Sequence, residues 1–124
     1  AGFDIAFPPP CRCLPADLAW LNRHYPRLKV IAAHFGGWRA WDQLDPVIGT
    51  GVCLDLSLSV GDIAPETLVD LMRRHGVDKV LFGSDTPWDD PAQAIERIRA
   101  LGLTPAEQQA IFWDNAVRLL GRAD

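Results

Sequence analysis

The stretch Phe82-Gly83-Ser84-Asp85-Thr86-Pro87-Trp88 overlaps the end of a short apolar run, Val80–Phe82. The run predicts a buried strand, and the glycine predicts a turn that presents the carboxylate of Asp85 at the strand's C-terminal end. An earlier predicted strand, Lys29–Ala33, delivers His34 in the same way, with two glycines close behind. Parallel α/β proteins keep their chemistry at the C-terminal ends of strands, so the two residues predict a metal-assisted or acid–base hydrolytic site.

Three predicted strands alternate with helices along the chain. Continuous apolar strands between amphipathic helices predict a parallel sheet covered by helices, an α/β architecture. Proline near the start of a helix and glycine after its end are the usual boundary signals. The predicted strands are Lys29–Ala33, Val52–Leu56 and Lys79–Phe82, and the predicted helices are Pro15 to before Pro26, Trp38–Leu44, Pro65–His75, Pro91–Leu101 and a last one from Thr104-Pro105 to about Leu120.

Composition restricts the class of protein. The chain has 124 residues, a net charge of −4 and 48% hydrophobic residues, so it can bury a core as one domain. The sequence lacks the basic patch that is typical of nucleic-acid binding. No apolar run approaches the roughly 18 residues of a membrane span. Three cysteines are too few for a disulfide framework and fit a reducing compartment. We therefore expect a cytoplasmic protein that binds neither nucleic acid nor membrane.

The number of strands indicates an incomplete fold. A closed parallel barrel needs eight strands and about 250 residues, and this chain predicts only three strands. A sheet of three strands would leave an edge and apolar side chains exposed. The chain begins at Ala1 without a methionine, which fits processing or a start inside a longer protein. We expect residues 1–124 to form a single partial domain that requires the rest of a barrel or an oligomeric partner.

The ordered set of motifs resembles the amidohydrolase-related family (amidohydrolase family 2), which are metal-dependent hydrolases of TIM-barrel fold. The resemblance covers essentially the whole chain. It implies the C-terminal three βα units of a (β/α)8 barrel plus the closing helix, with the N-terminal strands absent. The matching motifs are Ala1-Gly2-Phe3-Asp4 with Pro8-Pro9-Pro10, His34-Phe35-Gly36-Gly37-Trp38, Leu54-Asp55-Leu56-Ser57, Leu81 to Trp88, and Leu103-Thr104-Pro105 through Asn115-Ala116 to Leu119-Leu120-Gly121.

The resemblance implies a divalent metal ion, with zinc expected, and assigns two residues to it. Asp85 matches the family's strand-eight aspartate, which binds the ion and accepts a proton from activated water as general base. His34 matches the strand-six histidine and would be either a ligand of a second ion or a neutral hydrogen-bonding group. The family's His-x-His pair and strand-five histidine are absent from this sequence. We therefore expect the chain alone to bind metal weakly and to be inactive.

Candidate substrate-binding residues lie on loops that would surround the mouth of the barrel. Arg39 could hold a substrate carboxylate through two hydrogen bonds. Trp38 and Trp88 could wall an apolar pocket, with Asp4 near them. Ordinary packing would account for Trp38 and Trp88 equally well. A charged side chain in contact with solvent would account equally well for Arg39 and for Asp4. Asp55 is either a buried, hydrogen-bonded carboxylate or a pocket residue.

Other aromatic residues and histidines carry structural expectations. The remaining tryptophans fall on predicted helices and are expected to pack in the core or between elements. The remaining histidines fall at helix ends that are expected to be exposed, where a cation is favoured by the helix dipole. These residues are Trp20, Trp41 and Trp113, and His24 and His75.

The leading functional hypothesis is hydrolysis of a C–N, C–O or lactone-type bond in a small molecule. Within the same resemblance, metal-dependent decarboxylation of aromatic carboxylic acids is the nearest alternative, and a carboxylate-binding arginine such as Arg39 would favour it. A non-catalytic partial barrel that binds a partner through its strand edge is the alternative from another class. A nucleotide-binding domain is disfavoured because no phosphate-binding glycine motif is present.

Overall fold

Three short parallel strands form the sheet of the computed structural model, which describes residues 1–3 and 10–121. The strand order is β1-β2-β3, so β2 lies in the centre and hydrogen-bonds to both neighbours. This confirms the predicted parallel sheet, although each strand is shorter than predicted. The strands are β1 (Ile31–Ala32), β2 (Cys53–Asp55) and β3 (Val80–Leu81).

The helices follow the predicted pattern of starts and stops. Proline lies in the first turn of four of them, where its missing N–H is not needed. Asp90 caps α3 by accepting the N–H of Ala92 at 2.8 Å, as predicted. The helices are α1 (Pro15–His24), α2 (Pro65–His75), α3 (Pro91–Arg99), α4 (Pro105–Gln109), a π-helical turn (Ala110–Asp114) and α5 (Asn115–Leu120).

The helix predicted over Trp38–Leu44 does not form. Arg39 has a φ of 55°, a left-handed conformation that a right-handed helix cannot contain. The predicted span contains one short 3₁₀ turn, Trp41–Gln43, and another, His34–Gly36, precedes it. The segment after β1 is therefore a loop, and it begins with His34 at the end of the strand.

The core lies between the sheet and the helices. Leu54 and Leu56 are fully buried, whereas Asp55 between them is half-buried. Successive residues of a strand point to opposite faces, so the carboxylate faces away from the leucine core. The core residues contributed by the helices include Leu68 and Met72 of α2, Ile98 of α3 and Ile111 of the π-helical turn.

The C-terminal helical segment holds the outer edge of β3. The N–H of Phe82 donates to the carbonyl of Ile111 at 3.1 Å. The buried side-chain amide of Asn115 donates to the carbonyls of Val77 and Val80 at 2.7 and 2.8 Å. Backbone groups at a sheet edge need partners when they are removed from water, and this segment supplies them. It thereby fixes the position of the loop that follows β3.

Two of the three tryptophan expectations are wrong. Trp20 is 48% exposed and Trp113 is 60% exposed, because both lie on outward faces of their helices. Trp20 instead stacks on His24, with ring centroids 4.1 Å apart. Trp41 packs against the core as predicted. Among the described residues, no helix combines the length and apolar character that crossing a bilayer requires.

Candidate functional site

Polar side chains follow all three strands at the same end of the sheet. His34 comes after β1, Asp55 ends β2 with Ser57 two residues on, and Asp85 comes after β3. Because the strands are parallel, their C-terminal ends share one side of the sheet. We call these four residues the carboxyl edge. Their arrangement is typical of the catalytic end of parallel α/β folds.

The backbone at the carboxyl edge is held in unusual conformations. His34 has a φ of 57° and Asp85 a φ of 60°, and Phe35 and Leu58 also have positive φ values. Residues other than glycine rarely adopt this left-handed region, since the Cβ atom crowds the following carbonyl. Such conformations persist only where surrounding contacts impose them, and they cluster at functional sites.

Asp55 is the hydrogen-bonding centre of the carboxyl edge. Its Oδ1 atom accepts the backbone N–H of His34 at 3.1 Å, the backbone N–H of Ser57 at 3.0 Å and the Ser57 hydroxyl. The bond to His34 joins the end of β2 to the loop after β1. Asp55 is therefore a half-buried, hydrogen-bonded carboxylate, and its role as a pocket residue stays a prediction.

Gly83 supports Asp55 from the side of β3. A Cβ atom added to Gly83 would lie 3.1 Å from Cγ of Asp55, closer than ordinary van der Waals contact. A side chain at position 83 would therefore require the Asp55 side chain to shift by a few tenths of an ångström. The glycine of the Gly-Ser-Asp motif thus allows the end of β3 to pack directly against Asp55.

The imidazole of His34 is anchored on one side only. Nδ1 lies 3.0 Å from Oγ of Ser57 and 3.3 Å from the carbonyl oxygen of Ser57. The ring meets Trp38 edge to face, with centroids 5.8 Å apart, and Nε1 of Trp41 donates to the His34 carbonyl at 2.9 Å. Within the described residues, Nε2 has no hydrogen-bond partner.

Asp85 presents an exposed carboxylate. Its carbonyl accepts the N–H of Trp88 at 2.9 Å, which closes the loop after β3. Its side chain makes no hydrogen bond or ion pair with the described part of the chain. Within those residues the carboxylate therefore has no partner and lies open to solvent.

The substrate-binding candidates differ in how close they lie to His34. Trp38 contacts the ring of His34 and the ring of Trp41, and the guanidinium carbon of Arg39 lies 5.4 Å from the Trp38 ring centroid. This distance is typical of a cation–π contact. Trp88 is 79% exposed on the loop after β3.

Two predicted features fall outside the described residues. Asp4 is the fourth substrate-binding candidate and lies among residues 4–9. The proline-rich loop also begins there, at Pro8 and Pro9.

The donor groups of the carboxyl edge fit part of a divalent metal site. Imidazole and carboxylate are common ligands of zinc and manganese, and both His34 and Asp85 have donor atoms without partners in the described ranges. Within residues 1–3 and 10–121, no three histidine, cysteine, aspartate or glutamate side chains are grouped to hold an ion. Complete coordination by protein side chains would therefore need ligands beyond these two.

The expectation that His75 is exposed is wrong. Its side chain is 2% exposed, Nδ1 accepts the N–H of Gly49 at 3.2 Å, and Nε2 donates to the carbonyl of Val52 at 2.8 Å. Burial lowers the pKa of His75 because it disfavours the charged imidazolium. His24 is exposed, as predicted.

Sequence reasoning also missed Ser57. Its 3% exposure and its contact with His34 became visible only in the folded chain. The Asp-x-Ser spacing at the end of an apolar strand was the signal that could have indicated it.

The sheet, its helical cover and the polar carboxyl edge define the chain as a parallel α/β fold. The sequence model of the amidohydrolase family matches residues 12–122. The chain therefore belongs to the amidohydrolase family, and the predicted family and partial barrel are both confirmed.

Several proteins that this chain resembles are decarboxylases. The gamma-resorcylate decarboxylase of Polaromonas sp. (strain JS666 / ATCC BAA-500) is 27% identical, over 77% of this chain and 35% of its own length. The crystal structure of a dihydroxybenzoic acid decarboxylase from Polaromonas sp. JS666, with bound manganese and the inhibitor 2-nitroresorcinol, aligns with a TM-score of 0.65 and 25% identity. This alignment covers 88% of this chain and 40% of the decarboxylase chain.

A 2,6-dihydroxybenzoate decarboxylase from Rhizobium aligns with a TM-score of 0.64 and 26% identity, over 86% of this chain and 40% of its own. The chain thus spans well under half the length of these relatives. These findings support the decarboxylase alternative at least as well as the hydrolase that the sequence analysis placed first.

Proposed function

We propose that this chain forms one side of the active site of a metal-dependent decarboxylase that acts on an aromatic carboxylic acid. The observation that carries the proposal is that His34 and Asp85 follow strands of one parallel sheet at the same end, each with a donor atom that has no partner among the described residues. The family membership and the activities of the relatives support this reaction class. On this proposal residues 1–124 act as a single part of a larger barrel.

Asp85 and His34 are the residues of this chain that would hold a divalent ion. The bound ion would act as a Lewis acid that polarises an oxygen of the substrate. The manganese in the Polaromonas structure supports a divalent ion in general, and the ligand types suit either manganese or zinc. The remaining ligands would come from the rest of the protein.

Arg39 would bind the carboxylate of the substrate. A guanidinium presents parallel N–H donors that match the two oxygens of a carboxylate. Arg39 is exposed and stacks on Trp38, whose ring in turn contacts His34. The guanidinium therefore lies against the tryptophan that contacts His34. Trp38 and Trp88 would provide apolar walls for an aromatic ring, and Asp4 is a further candidate at the same mouth.

Decarboxylation replaces a carboxyl group by a proton, so the site must carry a proton to the ring carbon that loses carbon dioxide. His34 and Asp85 are the two candidate carriers on this chain. Both side chains can bind and release a proton, and both residues belong to the carboxyl edge. A positioned acid or base contributes about 10²- to 10⁴-fold to a rate.

Hydrolysis is the second candidate, since the family includes the hydrolases that the sequence resembles. In that reaction Asp85 would be the general base that accepts a proton from the attacking water, and would then pass it to the leaving group. The two reactions differ in product. One releases carbon dioxide, and the other adds the elements of water across a C–N or C–O bond.

The experiment uses the full-length gene product, loaded with manganese or zinc, and a panel of hydroxybenzoic acids and lactones. We expect one metal-dependent activity, with carbon dioxide release as the leading outcome. We also expect Asp85→Asn to lose bound metal, measured by elemental analysis, and to lose activity by about 10²-fold or more. Asparagine tolerates the left-handed backbone that Asp85 adopts, so this variant should fold normally.

Asp70→Asn is the matched control, because Asp70 lies on the outer side of α2 in an exposed pair with Arg74. It should retain both metal and activity. If Asp85→Asn also retains both, the proposed role of Asp85 is wrong. A full-length protein that holds no metal, turns over no substrate and forms a defined oligomer would instead support the non-catalytic binding module.

A further inference from the structure

Besides the backbone N–H of His34, which donates to Oγ at 3.4 Å, the hydroxyl of Ser57 has two polar neighbours and only one proton to donate. One neighbour is Oδ1 of Asp55, and an ionised carboxylate can only accept. The Ser57 hydrogen therefore points to Asp55. The other neighbour is Nδ1 of His34, 3.0 Å from Oγ, which meets a lone pair of the hydroxyl oxygen.

A second acceptor lies against the same ring nitrogen. The carbonyl oxygen of Ser57 is 3.3 Å from Nδ1 of His34, and a carbonyl has no hydrogen to donate. Both neighbours of Nδ1 are thus acceptors. A neutral imidazole satisfies them only if its single hydrogen is on Nδ1.

We propose that Ser57 and Asp55 are positioning residues that hold neutral His34 as the Nδ1–H tautomer, with the lone pair of Nε2 open at the carboxyl edge. His34 would then act through Nε2 by accepting a hydrogen bond or proton, or by coordinating an ion. It would not polarise a substrate by donating from Nε2 while neutral. The proposal deepens the proposed function, on which it rests, by naming the working atom of His34.

The arrangement is held from several directions. The same oxygen of Asp55 binds the Ser57 hydroxyl and the backbone N–H of His34, so one group sets both the ring and the left-handed main chain of His34. Ser57 is 3% exposed, which keeps competing water away from its hydroxyl. Gly83 packs closely against the side chain of Asp55. Partners of this kind fix ring orientation in functional histidines.

The test is long-range ¹H–¹⁵N NMR on the metal-free, full-length protein with labelled histidine, at about pH 8.5 where ordinary imidazoles are neutral. His34→Gln assigns the His34 signals. We expect a protonated Nδ1 and an unprotonated Nε2. In Ser57→Ala the more distant backbone carbonyl is the partner of Nδ1 that remains, so the tautomer population of His34 should shift towards Nε2–H. Ser57→Thr keeps a hydroxyl and should restore the Nδ1–H form.

Ser59→Ala is the control, because Ser59 is buried in the same loop but donates to the carbonyl of Leu56. It should leave the tautomer unchanged. In the active holoenzyme, Ser57→Ala should lower kcat by roughly 10- to 100-fold with recovery in Ser57→Thr. An Nε2–H tautomer in the wild-type protein, or an unchanged tautomer in Ser57→Ala, would overturn the proposal.

The two proposals can fail separately. Asp85→Asn tests the metal site and should leave the tautomer of His34 in the metal-free protein as it is. If that tautomer is Nδ1–H but the protein neither binds metal nor reacts, the proposed function fails and the assignment of Ser57 and Asp55 stands. If the protein binds metal and reacts but its His34 is the Nε2–H tautomer, the proposed function stands and the positioning role of Ser57 and Asp55 is wrong.

Discussion

Two histidines lie at opposite ends of the same sheet and differ in how completely they are bonded. His75 contacts the backbone just before β2, is 2% exposed, and has a partner on each ring nitrogen. His34 follows β1, is half-buried, and within the described residues has partners on Nδ1 alone. A saturated, buried imidazole stabilises the fold, whereas an anchored imidazole with one free nitrogen is prepared to contact something else. The comparison shows that the same residue type stabilises the fold at one end of the sheet and is available for chemistry at the other.

The largest expected effect is on the rate of the full-length enzyme with His34→Gln. Loss of the imidazole should lower kcat/KM by about 10²- to 10⁴-fold, because a positioned proton carrier or ligand is removed. The midpoint of urea unfolding should change little, since the ring is held on one side only. The same substitution at His24, exposed on α1, should change neither quantity. A wild-type rate in His34→Gln would break the comparison.

The next effect is on stability, with His75→Leu. The substitution keeps a side chain of similar size but makes it apolar, and so removes the partners of the Gly49 N–H and the Val52 carbonyl. We expect the free energy of unfolding to fall by about 1–3 kcal/mol, as for other buried polar groups left unpaired. The activity of the folded fraction should be unchanged. Wild-type stability with lost activity would reverse the roles of the two histidines.

The smallest effect is the pH dependence that His75 contributes. Its pKa is lowered by burial first, while the Val52 carbonyl and Asp78 act against the shift and Lys79 adds to it. The unfolded chain therefore binds the proton more readily than the folded one. The stabilising contribution of neutral His75 is complete above the ordinary histidine pKa of about 6.5 and declines as the pH falls below it.

Urea midpoints measured between about pH 8 and pH 5 should therefore decrease towards acid in the wild-type protein. His75→Leu should lose this part of the dependence, and His24→Leu should keep it. An identical slope in the wild-type protein and His75→Leu would mean that other groups cause the decrease.

Local signals predicted the elements with distinctive ends. The prolines and glycines around α2 led to its observed limits, Pro65–His75, and the capping box of Thr104 and Glu107 marked the start of α4. The helix over Trp38–Leu44 was predicted wrongly because the left-handed backbone of Arg39 is imposed by its surroundings rather than by its own preference. Trp20 and Trp113 were misplaced because helical spacing does not reveal which face a neighbour covers.

The sequence by itself determined the parallel α/β order, the family and the two strand-end residues, His34 and Asp85. Apolar periodicity, strand-to-turn transitions and ordered motifs are local features that can be read from the sequence alone. Only the tertiary structure decided that Asp55 and Ser57 join His34 and that His75 is buried. These contacts link residues more than twenty positions apart, and their hydrogen bonds exist only when separate strands meet at one end of a sheet.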